Sequence, residues 1–262
     1  MSDLSGRIGF GDVGLSLVLV AVAVVISWRR GAGLEGEILV ATFRSFAQLL
    51  AVGFVLEWVF GGGHSWVTPL VLAVMIGTAT LTSGGRAKRV PGARVIAVLS
   101  LSLATAATLG VLLVLHIVPA EPRAAIPLGS MIISNAMNTA SLVMVRLRDD
   151  LAASRREVEA RLCLGQTAAE AAAPWHRRSM RTGLLPIVDN TKVVGLVALP
   201  GAMTGMLLAG ASPSAAIRLQ LVVMYMILAG NALAALLAGQ LTVRRLFTAD
   251  HQLIRSLRRV EA

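Results

Sequence analysis

Apolar residues gather into seven long runs, at roughly 13–28, 38–60, 66–82, 95–118, 126–145, 184–208 and 215–243. A helix needs about 20 residues to cross the hydrocarbon core of a bilayer. Each run is therefore read as a membrane-spanning helix, with the first and third short and the last long. Between the fifth and sixth runs lies one long polar interruption, residues 146–186, which carries Arg146, Arg148, Arg155, Arg156, Arg161, Arg177, Arg178 and Arg181. That many charges do not sit in hydrocarbon.

Inside the interruption, two helices are expected. Asp149 or Asp150 can cap the first, because a carboxylate satisfies the free N–H groups at a helix start. Leu147, Leu151, Val158 and Leu162 make one apolar face, and Gly165 can stop the helix. Thr167 and Glu170 then form a capping-box pattern that opens the second helix. Such an arginine-flanked amphipathic region is either a lipid-surface helix or a docking element for a soluble partner. The tail, about 249–261, sets Leu253, Ile254, Leu257 and Val260 against Arg255, Arg258 and Arg259, and is read as an interfacial helix on anionic lipid.

Composition fits this pattern. Of 262 residues, 56% are hydrophobic and only 15% charged, far less charge than a soluble domain of this length carries. The fold class is all-α, a polytopic membrane bundle of about seven helices forming one domain over residues 1–262. The net charge is +10, but the basic residues lie between apolar runs rather than on one soluble surface, so no nucleic-acid partner is expected. Arg29 and Arg30, then Arg86, Lys88, Arg89 and Arg94, then the arginines of 146–186, then Arg244 and Arg245 fall after alternate segments. The intervening loops, GGGHS, VPAEPR and AGASPS, are poor in basic residues. The positive-inside rule then puts the N-terminus outside and the C-terminus in the cytoplasm. The first residues lack a basic n-region, so no cleaved signal peptide is expected. A single cysteine, Cys163, excludes an intrachain disulfide.

Enzyme motifs are missing. A Walker A loop needs Lys followed by Ser or Thr, whereas Lys88 and Lys192 are followed by Arg89 and Val193. This chain cannot hydrolyse ATP by that route. His64, His116, His176 and His251 fall in four separate loop or end positions and are read as interfacial or solvated. The informative polar groups lie within apolar runs, where an unpaired polar group is costly. Asn135, Asn138 and Thr139 share one helical stripe. Asp189 and Lys192 suit a local ion pair. Pro200 and Gly201 should bend or break the sixth segment, and a broken helix is tolerated where it packs on protein or lines a cavity. A substrate pathway near Asn135, Asn138, Asn190, Pro200, Gly201, Met203, Thr204 and Gly205 is one reading; interhelical packing, such as a Gly201–Gly205 contact, is the other. Met131, Met137, Met144, Met203, Met206, Met224 and Met226 could supply soft ligands or fill gaps.

The stretches PLGSMIISNAMNTASL (127–142), EVEARLCLG (157–165) and LPIVDNTKVVGLVALPGAMTGMLLAGASP (185–213) resemble the FetB-type permeases. These are membrane subunits of bacterial ABC transporters implicated in iron export, with plant aluminium-tolerance homologues. The resemblance is strong in the second half of the chain and rests on segment pattern in the first. It implies a permease with a cytosolic ATP-binding subunit as partner, which binds ATP and Mg while this chain binds no cofactor of its own. It also implies a homodimer of permeases in the cell membrane. Glu159, Ala160 and Gly165 resemble the EAA-x-x-x-G core of ABC cytoplasmic loops, with Arg161 in place of the second alanine. The resemblance thus favours docking for the region 146–183, with Glu157, Glu159, Ala160, Arg161 and Gly165 as coupling residues. A permease for another cargo, such as a nucleotide-sugar or a small hydrophobic compound, and an ion-coupled carrier without ATPase remain alternatives.

Overall fold

The structure, a computed structural model, describes residues 9–62, 66–254 and 257. His64, Arg7 and the tail residues Arg255, Arg258, Arg259 and Val260 lie outside them. Among the described residues the regular elements are α-helices: α1 (Phe10–Arg30), α2 (Glu35–Gly62), α3 (Val67–Arg86), α4 (Ala93–Val114), α5 (Pro122–Ala153), α6 (Arg155–Cys163), α7 (Ala168–Val193), α8 (Gly201–Leu208) and α9 (Pro213–Leu246). Six of these, α1 to α5 and α9, are long and apolar enough to cross a membrane. The expected span 184–208 is not one helix. It is the end of α7, an irregular stretch and α8. Gly195 takes a left-handed φ of +84° two residues after α7 ends, and Pro200 then precedes the first residue of α8. The break therefore begins earlier than Pro200 and Gly201 alone suggest.

Contacts divide the chain into two compact units, residues 1–64 with 204–216 and residues 65–203 with 217–262. In the first unit α1 and α2 pack as a hairpin. Its turn is held by Ser27, whose Oγ donates to Glu35 Oε1 at 2.8 Å and accepts from the Leu34 N–H at 3.1 Å. The outer faces are bare apolar side chains, with Leu15 70% and Phe43 73% exposed. Surfaces of this kind are covered by lipid or protein.

The second unit is built around α5, which packs against α3, α4 and α7. At 32 residues, α5 is roughly 48 Å long, while the hydrocarbon core is about 30 Å thick. The helix is therefore longer than the core is thick. The helix runs through Asp149 and Asp150 rather than starting there, because Leu147 and Leu151 extend its buried stripe. The next helix, α6, has Ser154 at its N-cap without a side-chain cap bond. The capping box of α7 is present: the Thr167 N–H donates to Glu170 Oε2 at 2.8 Å and the Glu170 N–H to Thr167 Oγ1 at 3.4 Å. Gly183 lets α7 approach α5 closely, since a Cβ there would meet Val143 and the Thr139 carbonyl. Residues 249–254 are not helical. The chain turns back after α9, and Leu253 and Leu257 are buried against protein.

One histidine departs from expectation. His176 on α7 is half-buried, its Nε2 is buried without a hydrogen-bond partner, and its ring fills the space where a Cβ on Gly239 of α9 would stand. Burial holds its pKa below the ordinary 6.5. An unfolded chain therefore takes up this proton at higher pH than the folded one. The stability this site contributes is present above about pH 6.5 and is lost as the pH falls below it. On acidification from about pH 7.5 to 5.5, the melting temperature of the wild type is expected to fall further than that of His176→Leu. An equal fall in both proteins would contradict this.

Candidate functional site

A cavity of about 520 Å3 opens in the second unit where α5, the end of α7, the break and α9 meet. Helix α5 supplies Met131 and Asn135, α7 supplies Ile187 and Asn190, and the break supplies Val194, Ala198 and Pro200. Gly201 opens α8 at the rim, and α9 contributes Gln220, Val223, Met224 and Ile227. The polar groups are carboxamides and thioethers, and no charged side chain lines the walls. Asn135 donates Nδ2 to the Met131 carbonyl at 2.9 Å, one turn back along its own helix. Gln220 is only 5% exposed, and its Oε1 is buried without a partner. A carboxamide oxygen in such a place costs free energy unless something donates to it, so it is the most demanding acceptor of the cavity.

The expected pathway residues are only partly gathered here. Asn135, Asn190, Pro200 and Gly201 line the cavity. Asn138 does not: its Oδ1 accepts from Arg86 Nη1 of α3 at 2.7 Å. Thr139, the third member of the stripe, donates to the Gly183 carbonyl of α7 at 3.4 Å. Met203 and Thr204 are half-buried on α8 and Gly205 is exposed. A Cβ on Gly201 or Gly205 would meet nothing within 4 Å, so the two glycines make no close helix contact within this chain. Asp189 and Lys192 form the expected ion pair, at 2.9 Å. The methionines scatter: Met131 and Met224 reach the cavity, whereas Met144 and Met226 are core side chains. No group of three or more His, Cys, Asp or Glu placed to hold a metal ion occurs among the described residues.

The signal for Gln220 was available in the sequence, as an amide inside a long apolar run. So was Asn231 on the same helix, 2% exposed with Oδ1 unpartnered. In Gln220→Leu the orphaned acceptor disappears and volume is kept, so folding should be preserved. If the amide contacts cargo, transport falls about tenfold or more. Unchanged transport in a well-expressed variant would make Gln220 a packing residue.

The second feature is the short α6 and the turn that follows it. Its outer face carries two ion pairs, Arg155 to Glu159 at 2.9 Å and Arg161 to Glu157 at 3.0 Å. Arg161 also lies over the Trp175 ring, 5.4 Å from its centroid. Ala160 is exposed on the same face. On the inner face Val158 is fully buried. It packs into a cluster with Leu147 and Leu151 of α5, Ala171 and Trp175 of α7, Leu246 of α9, and Leu253. This cluster joins α6 to the ends of three long helices. The turn itself points outward: Leu164 is 82% exposed, and Gly165 ends the helix at φ +85°. The Thr167 amide and hydroxyl hold the Glu170 carboxyl below its ordinary pKa, with His251 adding a smaller pull. His251 also accepts from the Ala168 N–H, through Nδ1 at 3.2 Å.

The family described as "Uncharacterised protein family (UPF0014)" matches residues 10–247. The "UPF0014 membrane protein STAR2" of Oryza sativa subsp. japonica is 41% identical over 236 residues, 90% of this chain and 82% of its own. The "Protein ALUMINUM SENSITIVE 3" of Arabidopsis thaliana is 38% identical over 91% of this chain and 87% of its own. The "Probable iron export permease protein FetB" of Escherichia coli (strain K12) is 33% identical over 93% of this chain and 94% of its own. No solved structure matches the chain. With similarity along nearly its whole length and six helices fit to cross a bilayer, the chain is a multi-pass membrane protein and belongs to the UPF0014 family.

Proposed function

We propose that this chain is the membrane-spanning permease subunit of an ABC transporter that exports iron or another metal, driven by ATP hydrolysed with Mg on a separate cytosolic subunit. The observation that carries the reading is the Val158 cluster. A push on α6 from a docked ATPase is delivered through Val158 to the ends of α5, α7 and α9 at once. Those three helices wall the cavity that holds Asn135, Asn190 and Gln220. Rigid elements linked in this way carry motion between a binding surface and a distant site. The coupling surface is Glu157, Glu159, Ala160, Arg161 and Gly165, with Leu164 added at its tip. Loops rich in Arg flank this surface, which supports a cytoplasmic position. Two permeases and two ATP-binding subunits make the complete transporter.

The metal rests on the E. coli relative's name, and the lining is compatible with it. Amide oxygens and thioethers are weak, exchangeable ligands, as release from an exporter requires. An organic cargo is the second reading, favoured by the cavity's size of about 520 Å3, which falls in the range of small-molecule pockets. Two assays separate the readings. Deleting the gene should raise cellular iron, and everted vesicles with the ATP-binding subunit should take up iron only with ATP. Unchanged iron with ATP-dependent uptake of an organic compound would favour the second reading. Transport that survives ATP depletion would sink both.

A further inference from the structure

A second cavity, of about 360 Å3, lies between the α3–α4 turn and the end of α5. Arg86, Lys88, Arg89 and Arg148 line it against one carboxylate, Asp149. That carboxylate is already engaged, by Arg148 Nη1 at 2.9 Å. The Arg148 Nε is buried without a partner. Arg86 is held by the neutral Asn138 amide, which fixes its position without cancelling its charge. Lys88 and Arg89 form no ion pair among the described residues. Nor do their backbone N–H groups find a backbone acceptor. Arg245 of α9 packs on the same turn, its Nε 3.5 Å from where a Cβ on Gly92 would stand.

Cations gathered this closely repel one another unless an anion sits among them. The position of the cavity narrows the anion. The apolar span of α3 ends at Arg86 and that of α4 begins at Ala93, so the turn between them stands at the level of the lipid headgroups. Basic pockets between membrane helices at this level take phosphate headgroups. The guanidinium fork matches two phosphate oxygens at once. We propose that this cavity binds a phosphate group, carried by the headgroup of an anionic membrane lipid or free in solution. The bound phosphate ties the α3–α4 turn to α5. The site is separate from the cavity of Asn135 and Gln220 and does not depend on what the protein transports.

Native mass spectrometry of the purified full chain tests this. One arm titrates phosphatidylglycerol against phosphatidylcholine; the other titrates inorganic phosphate at matched ionic strength. The expected result is one saturable site, weakened at least about tenfold in Lys88→Gln/Arg89→Gln, because each charge-assisted bond is worth that much or more. Both side chains are exposed, so the double variant should fold. Arg156→Gln removes an exposed charge from α6 and should leave the site unchanged. Saturable phosphatidylglycerol binding that inorganic phosphate does not displace identifies the lipid as the source. Saturable binding of inorganic phosphate identifies free phosphate. No saturable binding of either, or an equal loss in Arg156→Gln, overturns the proposal.

Discussion

Leu164→Asp is expected to abolish capture of the ATP-binding subunit while leaving the membrane bundle folded. Leu164 stands 82% exposed at the tip between α6 and α7, so the carboxylate costs the isolated permease nothing in burial. In a docked complex the same side chain would be the apolar anchor of the contact. Interfaces draw most of their energy from a few such anchors, and losing one typically costs about 2 kcal/mol or more, roughly 30-fold in affinity. A charge in place of the leucine adds a desolvation penalty. The measurement is the affinity of the purified permease for its ATP-binding subunit, with helicity and melting temperature recorded alongside. Unchanged affinity would remove the tip from the docking surface.

Val158→Asp should do the opposite, harming the fold itself. Val158 is fully buried among Leu147, Leu151, Trp175 and Leu246, and the two carboxylates of α6, Glu157 and Glu159, point outward to arginines. The side chains packed around Val158 in this cluster are apolar. Burying an aspartate there costs at least about 3 kcal/mol, which lowers the melting temperature by roughly 6–12 °C. Val158→Ala keeps the cluster apolar and leaves a small cavity, so its cost is smaller, about 1 to 2 kcal/mol. If Val158 transmits force, Val158→Ala should still bind the ATPase yet hydrolyse ATP with less transport per turnover. Full coupling in that variant would mean that another contact carries the motion.

The parts of this architecture set by local chemistry were legible in the sequence. The Thr167–Glu170 capping box needs only two partners three positions apart, and the stop at Gly165 needs only one residue free to adopt positive φ. The polar region's apolar face was legible as well, since Leu147, Leu151, Val158 and Leu162 all reach one cluster. Where local and tertiary preferences conflict, the sequence misled. Asp149 and Asp150 suit a helix start, but the burial of Leu147 and Leu151 carries α5 straight through them. The stripe of Asn135, Asn138 and Thr139 was visible; its partners were not. Arg86 lies 52 residues from Asn138, and the Gly183 carbonyl 44 from Thr139. Only the packing of α3 and α7 on α5 assigns Asn138 and Thr139 to these partners, whereas Asn135 bonds to its own helix. Gln220 was legible as one amide inside a long apolar run, but its burial and its unpartnered Oε1 follow only from the packing around it.

The most direct measurement is co-purification of this chain in detergent with the ATP-binding subunit encoded nearest its gene, followed by ATPase activity in lipid. The expected result is a stable complex that hydrolyses ATP and is lost on Leu164→Asp. A chain that captures no ATPase, yet alone moves ions across vesicle membranes, would contradict it.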